Sequence, residues 1–223
     1  MACRANRKTP GSVISDRKHG MNPTHAIILD FESTCDQGRG FGPHEIIEFP
    51  SVLVDLETDQ VVDDFKSFAR PVENPVLTEF CTQLTSITQQ DVEGASLFTK
   101  VFGRHQAWLE AHHLTETNAL FVTCGDWDLK SMLPQQCQLS GIDPAAIPPI
   151  YRRWLNIKVL YCQVLDQPRV GGMKKMLNGL GLKLEGTHHR GIDDCRNIGR
   201  ILLELKARGG EISITGSHDR DNL

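Results

Sequence analysis

The sequence predicts an α/β fold in which helices flank a mixed central sheet. Two observations support this prediction. Segments typical of strands dominate the chain up to Pro75, whereas helical patterns and one further strand follow it. Strands that come first, followed by helices around a later strand, are typical of a sheet covered by helices. The 223 residues suffice for one domain with a well-packed core.

Four strands are expected. The run HAIILDFE at 25–32 is short and apolar and follows a Pro-Thr turn. The segment 46–71 contains two strands joined by the turn Glu-Thr-Asp-Gln, which predicts a hairpin. The run ALFVTC at 119–124 is the fourth strand.

The rest of the folded chain is predicted to be helical. A Pro-rich connection at 140–150 divides this part, and Pro134 should interrupt or bend the helix that contains it. A glycine pair closes the last helix in a C-cap position. Short helical pieces with polar starts are predicted within 77–92, and the spacing of apolar residues predicts a helix at 96–114. Further helices are predicted at 127–139, 156–165, 173–182 and 193–210.

The composition limits the class of protein. The formal net charge of −4 gives no general basic footprint, so a nucleic-acid partner has to bind at a local patch. Seven widely spaced cysteines without a CxxC pair suit reduced thiols inside a cell. No apolar run approaches the roughly 20 residues that span a bilayer, and the polar head lacks the apolar core of a signal peptide. We therefore expect a cytoplasmic or nuclear protein that is not secreted and has no membrane contact.

Three parts of the chain are expected: a disordered polar head at 1–23, a folded domain at 24–212 and a tail at 213–223. No feature of the sequence indicates obligate oligomerisation, so a monomer is expected.

Two acidic residues stand at the end of the first predicted strand. Side chains alternate between the faces of a strand, so Asp30 and Glu32 point the same way while Leu29 and Phe31 point the other way. With no Lys or Arg nearby in sequence, the two carboxylates would repel each other unless a cation lay between them. The alternative is a pair of charges at the solvated end of a strand.

The segment GTHHRGIDDCRNIGR at 186–200 places two histidines and two aspartates before an amphipathic helix. Asp194 lies four residues before Ile198 and seven before Ile201, so it extends the buried stripe of that helix. Asp193 extends a polar row and suits the helix N-terminus, where the dipole stabilises a negative charge. The spacing therefore selects Asp194 as the inward-facing aspartate.

A third acidic cluster, CGDWDLKSML, follows the fourth strand. Asp126 and Asp128 flank Trp127 where strand gives way to helix, and either aspartate can cap the helix. Periodicity does not decide which one faces inward, because the helix is only starting there.

The three clusters taken in order resemble the three motifs of the DEDDh 3′→5′ exonuclease family. The segments LDFESTC, HEIIEFPSVLVD, LTEFCTQLTSITQQDV, TCGDWDL and HRGIDDCRNIGRI are similar to those of the Eri-type (enhanced-RNAi) exoribonucleases, in particular the short prion-interactor-like members. This resemblance covers about 25–215. It implies a ribonuclease H-like fold and an exonuclease domain at 24–212.

The resemblance also implies roles for individual residues. His189 matches the general base, and Asp128 rather than Asp126 matches the second motif, which leaves Asp126 as a helix cap. His188 falls outside the pattern. Two Mg²⁺ ions, or Mn²⁺ as a substitute, are expected at four carboxylates. The expected catalytic residues are Asp30, Glu32, Asp128, His189 and Asp194, of which the four acidic ones are the expected metal ligands.

Substrate contacts are expected around this site. Trp127 stacks on a base or, slightly favoured, packs in the core, and Arg190 contacts a phosphate or lines the rim. The expected substrate-binding residues are Phe31, Ser33, Thr34, Trp127, Arg190 and Lys174. Further phosphate contacts, with a solvated surface as the alternative, are Arg152, Arg153, Lys158 and Lys175.

The leading hypothesis is a metal-dependent 3′→5′ exoribonuclease that releases nucleoside 5′-monophosphates from single-stranded RNA ends. A DNase of the same fold and an inert RNA-binding scaffold are the alternatives, and the five intact motif positions argue against the scaffold. A zinc site of His188, His189 and Cys195 competes for the same segment. It is disfavoured because no other Cys or His has companion spacing.

Overall fold

The computed structural model describes residues 23–38 and 41–218. The strands of this part of the chain are β1 (His25–Leu29), β2 (Glu32–Ser33), β3 (Ile46–Asp55), β4 (Gln60–Phe68), β5 (Ala119–Thr123), β6 (Arg153–Asn156) and β7 (Gly216–Ser217). They form one mixed sheet in which neighbours pair in the order β2-β3-β1-β5-β6-β7. β4 pairs with the edge of β3 opposite β1 and β2. The predicted α/β fold with a mixed sheet is confirmed.

Helices cover both faces of the sheet, as predicted. They are α1 (Glu79–Thr85), α2 (Gln89–Glu93), α3 (Phe98–Ala111), α4 (Leu133–Leu139), α5 (Ile157–Val164), α6 (Met173–Leu180) and α7 (Gly191–Ala207). A π-helical turn, Asp128–Met132, precedes α4, and Pro134 lies in the first turn of α4. The predicted interruption by Pro134 is thus present, because a proline fits the first turn of a helix but not its interior.

Strand pairing brings two strand ends to one edge of the sheet. β1 is antiparallel to β3 and parallel to β5, and β5 is parallel to β6. The carboxyl ends of β1 and β5 therefore lie side by side, which is where sheet proteins of this kind place ligands. The β3–β4 hairpin occurs as predicted.

The core has two layers, one on each face of the sheet. Along β1, Ile27 and Leu29 pack in the cluster that contains α3, while Ala26 and Ile28 pack in the cluster that contains α7. All four are fully buried. A strand covered on both faces reads as a continuous apolar run, which explains the pattern AIIL.

Three boundaries differ from those expected. The strand predicted at 25–32 is divided, because β1 ends at Leu29 and pairing resumes only at Glu32 in β2. β6 was not predicted, and β7 lies inside the segment predicted as a tail at 213–223. The predicted disordered head at 1–23 lies almost wholly outside the described residues.

Among the residues that the structure describes, no helix combines the length and apolar character needed to cross a membrane.

Candidate active site

The end of β1 places Asp30 and Glu32 at a cavity. The backbone N–H of Phe31 donates to Asp128 Oδ1 at 3.0 Å, and the Phe31 ring packs edge-on against Phe49 at 4.7 Å between centroids. With Phe31 held in the core, its two neighbours project to the opposite side, as the alternation of side chains predicted.

Asp128 begins the π-helical turn that follows β5 and is buried. Its hydrogen bond to the Phe31 N–H joins the first acidic cluster to the second. Asp126 does not cap the helix, contrary to expectation. Its Oδ1 accepts from Trp154 Nε1 at 2.8 Å and from Asn156 Nδ2 at 3.2 Å, so it ties the end of β5 to β6.

The N-terminus of α7 brings in Asp194. The helix begins at Gly191, where a Cβ atom would lie only 2.8 Å from the carbonyl oxygen of Asp30, so only glycine permits this approach. Asp194 is buried, as its place on the apolar stripe predicted, and Asp193 faces the preceding loop, where its Oδ2 accepts the Thr187 N–H at 2.9 Å.

Both histidines of the loop before α7 line the cavity. His188 Nδ1 lies 3.1 Å from Asp194 Oδ2, and the backbone N–H of His189 donates to the same oxygen at 2.9 Å. The two rings stack with 3.8 Å between centroids. His189 has a left-handed backbone, with φ of 64°.

The cavity, about 310 Å³ in volume, collects most of the predicted site residues. One oxygen each from Asp30, Glu32 and Asp194 lies within 4.8 Å of the others. The cavity wall includes Asp30, Phe31, Glu32, Lys174, His189 and Asp194.

The carboxylates of this site repel one another. Burial raises the pKa of Asp30 well above its usual range, and the charges of Asp128 and Glu32 add to the shift. Burial, followed by the charges of Asp194 and Glu48, raises the pKa of Glu32 to about 9. Burial also raises the pKa of Asp128 to about 6. Divalent cations offset such repulsion, and oxygen-only donors suit hard ions such as Mg²⁺ or Mn²⁺. The residues present therefore fit a divalent-metal site.

The competing zinc set of His188, His189 and Cys195, which the sequence disfavoured, does not come together in the structure. Cys195 is fully buried in the core, and its Sγ lies 3.9 Å from the Pro50 carbonyl oxygen. Its place beside the two histidines is taken by Asp194, because successive residues of a helix point about 100° apart.

The expected substrate contacts fall into different environments. Trp127 is 46% exposed, so the favoured prediction of core packing is wrong. Thr34 is buried, and its hydroxyl accepts the Glu45 N–H at 2.9 Å. Ser33, in β2, is half-buried.

Arg190 is held by the protein itself. Its guanidinium donates to the Ser86 carbonyl oxygen at 3.0 Å, stacks on Phe68 at 5.3 Å and lies 3.9 Å from Glu48 Oε1. The side chain thus fastens the start of α7 to the neighbouring elements.

The remaining cations divide into two groups. Arg152 and Arg153 donate to the backbone carbonyls of Ile147 and Glu116, and neither lines the cavity. Lys174 and Lys175 line it, and their ammonium groups have no ion-pair partner among the described residues. The charge of Lys158 opposes the raised pKa of Asp30 and of Asp128, although Lys158 does not line this cavity.

Sequence reasoning missed Glu48. This carboxylate lies in β3 directly opposite Glu32 and is fully buried. Its Oε2 accepts the N–H of Gly191 at 3.1 Å, while Oε1 lies 3.6 Å from Lys66 Nζ. A charged residue within the apolar run IIEFP was the available signal, since buried charges are rare unless they are paired.

Comparison with known proteins places this chain in a family. The RNase_T family model, described as Exonuclease, matches residues 27–202. Human ERI1 exoribonuclease 3 is 40% identical over 185 residues, which cover 82% of this chain and 54% of that protein. Human 3′-5′ exoribonuclease 1 is 38% identical over 195 residues, with 85% and 54% covered. The chain thus spans about half the length of these relatives.

A solved structure agrees with the sequence comparisons. The nuclease domain of 3′hExo, a DEDDh family member bound to rAMP, superposes with a TM-score of 0.83 at 36% identity. The superposition covers 89% of this chain and 99% of that domain. The RNase_T match spans β1 to α7 and so includes all three acidic clusters. The chain therefore belongs to the RNase_T exonuclease family and has the fold of its DEDDh members.

Proposed function

We propose that the protein is a metal-dependent 3′→5′ exoribonuclease that hydrolyses single-stranded RNA ends to nucleoside 5′-monophosphates. One observation carries this proposal: carboxylates from the residue after β1, from β2 and from α7 converge within 4.8 Å in a cavity that His189 also lines. The names of the relatives, which are exoribonucleases, support RNA as the substrate.

Two Mg²⁺ ions, with Mn²⁺ as a substitute, are the proposed cofactors. Bound divalent ions supply charge that stabilises the scissile phosphate and the leaving oxygen. The proposed ligands are Asp30, Glu32, Asp128 and Asp194. Their buried, mutually repelling carboxylates support this assignment.

His189 is the proposed general base that removes a proton from the attacking water. Burial, followed by the charge of His188, lowers the pKa of His189. The ring is therefore neutral at neutral pH and able to accept a proton. Its position at the cavity wall supports this role.

The substrate end is proposed to enter the same cavity. Lys174 at the cavity wall and the exposed Trp127 are the proposed contacts to the terminal nucleotides, since a lysine binds phosphate and an aromatic ring stacks on a base. Phe31 also lines the cavity, but it is a weaker candidate for stacking because its ring packs in the core against Phe49. Ser33, Thr34 and Arg190 remain weaker candidates, because the Thr34 hydroxyl and the Arg190 guanidinium already have protein partners.

We also propose a monomer in the cytoplasm or nucleus. One chain supplies every residue of the proposed site. The described cysteines are free thiols, which suits a reducing compartment.

The test is a time course on 5′-labelled single-stranded RNA and matched DNA with Mg²⁺, Mn²⁺ or EDTA. The expected result is a metal-dependent ladder that shortens from the 3′ end, forms faster on RNA and is lost in Asp194→Asn. Glu204→Gln is the matched control, because this carboxylate lies on the same helix but pairs with Arg208 at its far end, and it should retain the ladder. Faster hydrolysis of DNA would instead support a DNase. RNA binding without hydrolysis of either substrate would refute catalysis.

A further inference from the structure

We propose that His188, His189 and Asp194 form a second metal site that binds Zn²⁺ and thereby blocks the nuclease site. One possible ligand atom from each of the three side chains lies within 4.8 Å of the others. This set is different from the oxygen-only set of Asp30, Glu32 and Asp194, with which it shares one residue.

The two histidines are arranged so that both can face one ion. His188 Nδ1 lies 3.2 Å and 3.1 Å from the two oxygens of Asp194, and the His188 and His189 rings stack at 3.8 Å. The His188 side chain is 21% exposed. The set is thus open to an ion from solvent on one side and walled by protein on the other.

The loop that carries the histidines is held in place by hydrogen bonds from its own backbone. The N–H groups of Thr187 and His189 donate to the carboxylates of Asp193 and Asp194, each at 2.9 Å. The left-handed backbone at His189, with φ of 64°, turns the chain between the two rings. Ligands that are already oriented lose little further freedom when an ion binds.

The donor atoms select a transition metal over magnesium. Two imidazole nitrogens and one carboxylate oxygen suit Zn²⁺, whereas Mg²⁺ prefers an all-oxygen shell. Three protein ligands also leave the fourth position of a tetrahedral zinc ion open to water. His188 decides this selectivity, because without it the segment offers one imidazole and one carboxylate.

The consequence for activity rests on the proposed function. Asp194 is the proposed magnesium ligand and His189 the proposed general base. When both bind a zinc ion, Asp194 no longer binds magnesium and His189 no longer accepts a proton. Zinc binding and magnesium-dependent hydrolysis then exclude each other.

The first experiment measures zinc binding directly, in the full chain, by competition with a chromophoric zinc chelator. The wild type should bind one ion, and His188→Ala should bind it at least about tenfold more weakly. His112→Ala is the matched control: His112 Nε2 also lies 2.8 Å from a carboxylate, that of Asp63, but without a second imidazole ligand. This variant should bind zinc as the wild type does. His188→Asn, checked by circular dichroism, replaces His188→Ala if the latter does not fold.

The second experiment titrates zinc into the RNA hydrolysis assay at saturating Mg²⁺. The zinc concentration that halves the rate should rise at least about tenfold in His188→Ala and stay unchanged in His112→Ala. Equal zinc affinity of wild type and His188→Ala, or equal inhibition of both, would overturn the proposal by locating the ion at the carboxylates or at thiols. Absence of RNA hydrolysis in all variants would refute the proposed function, while the binding result would still decide the zinc site.

Discussion

Glu32→Gln should stabilise the metal-free protein, although it removes a proposed metal ligand. Glu32 is only 8% exposed, and burial together with the charges of Asp194 and Glu48 raises its pKa from 4.5 to about 9. Without a metal ion, the folded protein therefore holds a proton on Glu32 at neutral pH that the unfolded chain releases.

The magnitude follows from proton linkage. Between pH 4.5 and about 9 the folded state binds one more proton at Glu32 than the unfolded state, so the free energy of unfolding falls by about 1.4 kcal/mol per pH unit. The loss reaches about 4 kcal/mol at pH 7.5. Gln carries no proton equilibrium, but its buried amide still loses contacts with water. We expect a net gain of about 2 to 3 kcal/mol at pH 7.5 and a net loss of about 1 to 2 kcal/mol at pH 4.5, where only the cost of the buried amide remains.

Urea unfolding in EDTA across this pH range measures the gain. The advantage of Glu32→Gln should grow with pH, and added Mg²⁺ should reverse it, because an ion that binds only the folded state stabilises the wild type more. Glu45→Gln is the matched control. The two oxygens of buried Glu45 accept the N–H groups of Val72 and Asn74 at 2.7 and 2.8 Å, so this variant should lose stability at every pH. If Glu32→Gln is less stable than the wild type in EDTA at pH 7.5, the reasoning is wrong.

Three further predictions concern single contacts. Gly191→Ala should destabilise the fold by about 1 to 3 kcal/mol and slow hydrolysis, because its Cβ would press on the Asp30 carbonyl oxygen; urea unfolding and the ladder assay measure both. Trp154→Phe should lower stability by about 1 kcal/mol, seen as a lower Tm, because Asp126 loses its Nε1–H donor. Trp127→Ala should leave Tm unchanged, since the ring is exposed, but raise KM for RNA about fivefold or more; an unchanged KM would remove Trp127 from the substrate contacts.

The sequence predicted elements whose pattern is local. The stripe of α7 is recognisable because its apolar residues recur with the helical period, and β1 is recognisable because it is a short continuous apolar run. β6 and β7 were not, since they have four and two residues and depend on pairing with strands distant in sequence. The break after Leu29 likewise depends on a contact 97 residues away, between the Phe31 N–H and Asp128.

The site residues, too, were predictable only where a local repeat fixes the direction of the side chain. The inward face of Asp194 followed from helical spacing, and burial confirms it. Asp126 and Trp127 lie where the chain passes from a strand into a helix. Neither the two-residue repeat of a strand nor the roughly 3.6-residue repeat of a helix predicts which way a side chain points there. The family resemblance leaves Asp126 as a helix cap, but its carboxylate binds Trp154; core packing is the favoured prediction for Trp127, but its ring is exposed.

Asp194 connects the two metal chemistries that the cavity can support. Its carboxylate lies within reach of the oxygens of Asp30 and Glu32 on one side and of the nitrogens of His188 and His189 on the other. The first set attracts hard ions because buried carboxylates repel each other, and the second attracts zinc because it contains two imidazoles. The single carboxylate of Asp194 does not serve as a ligand of the magnesium site and of the zinc site at the same time. Loss of His188 should therefore change the protein's choice of metal, whereas loss of Asp194 should remove both sites.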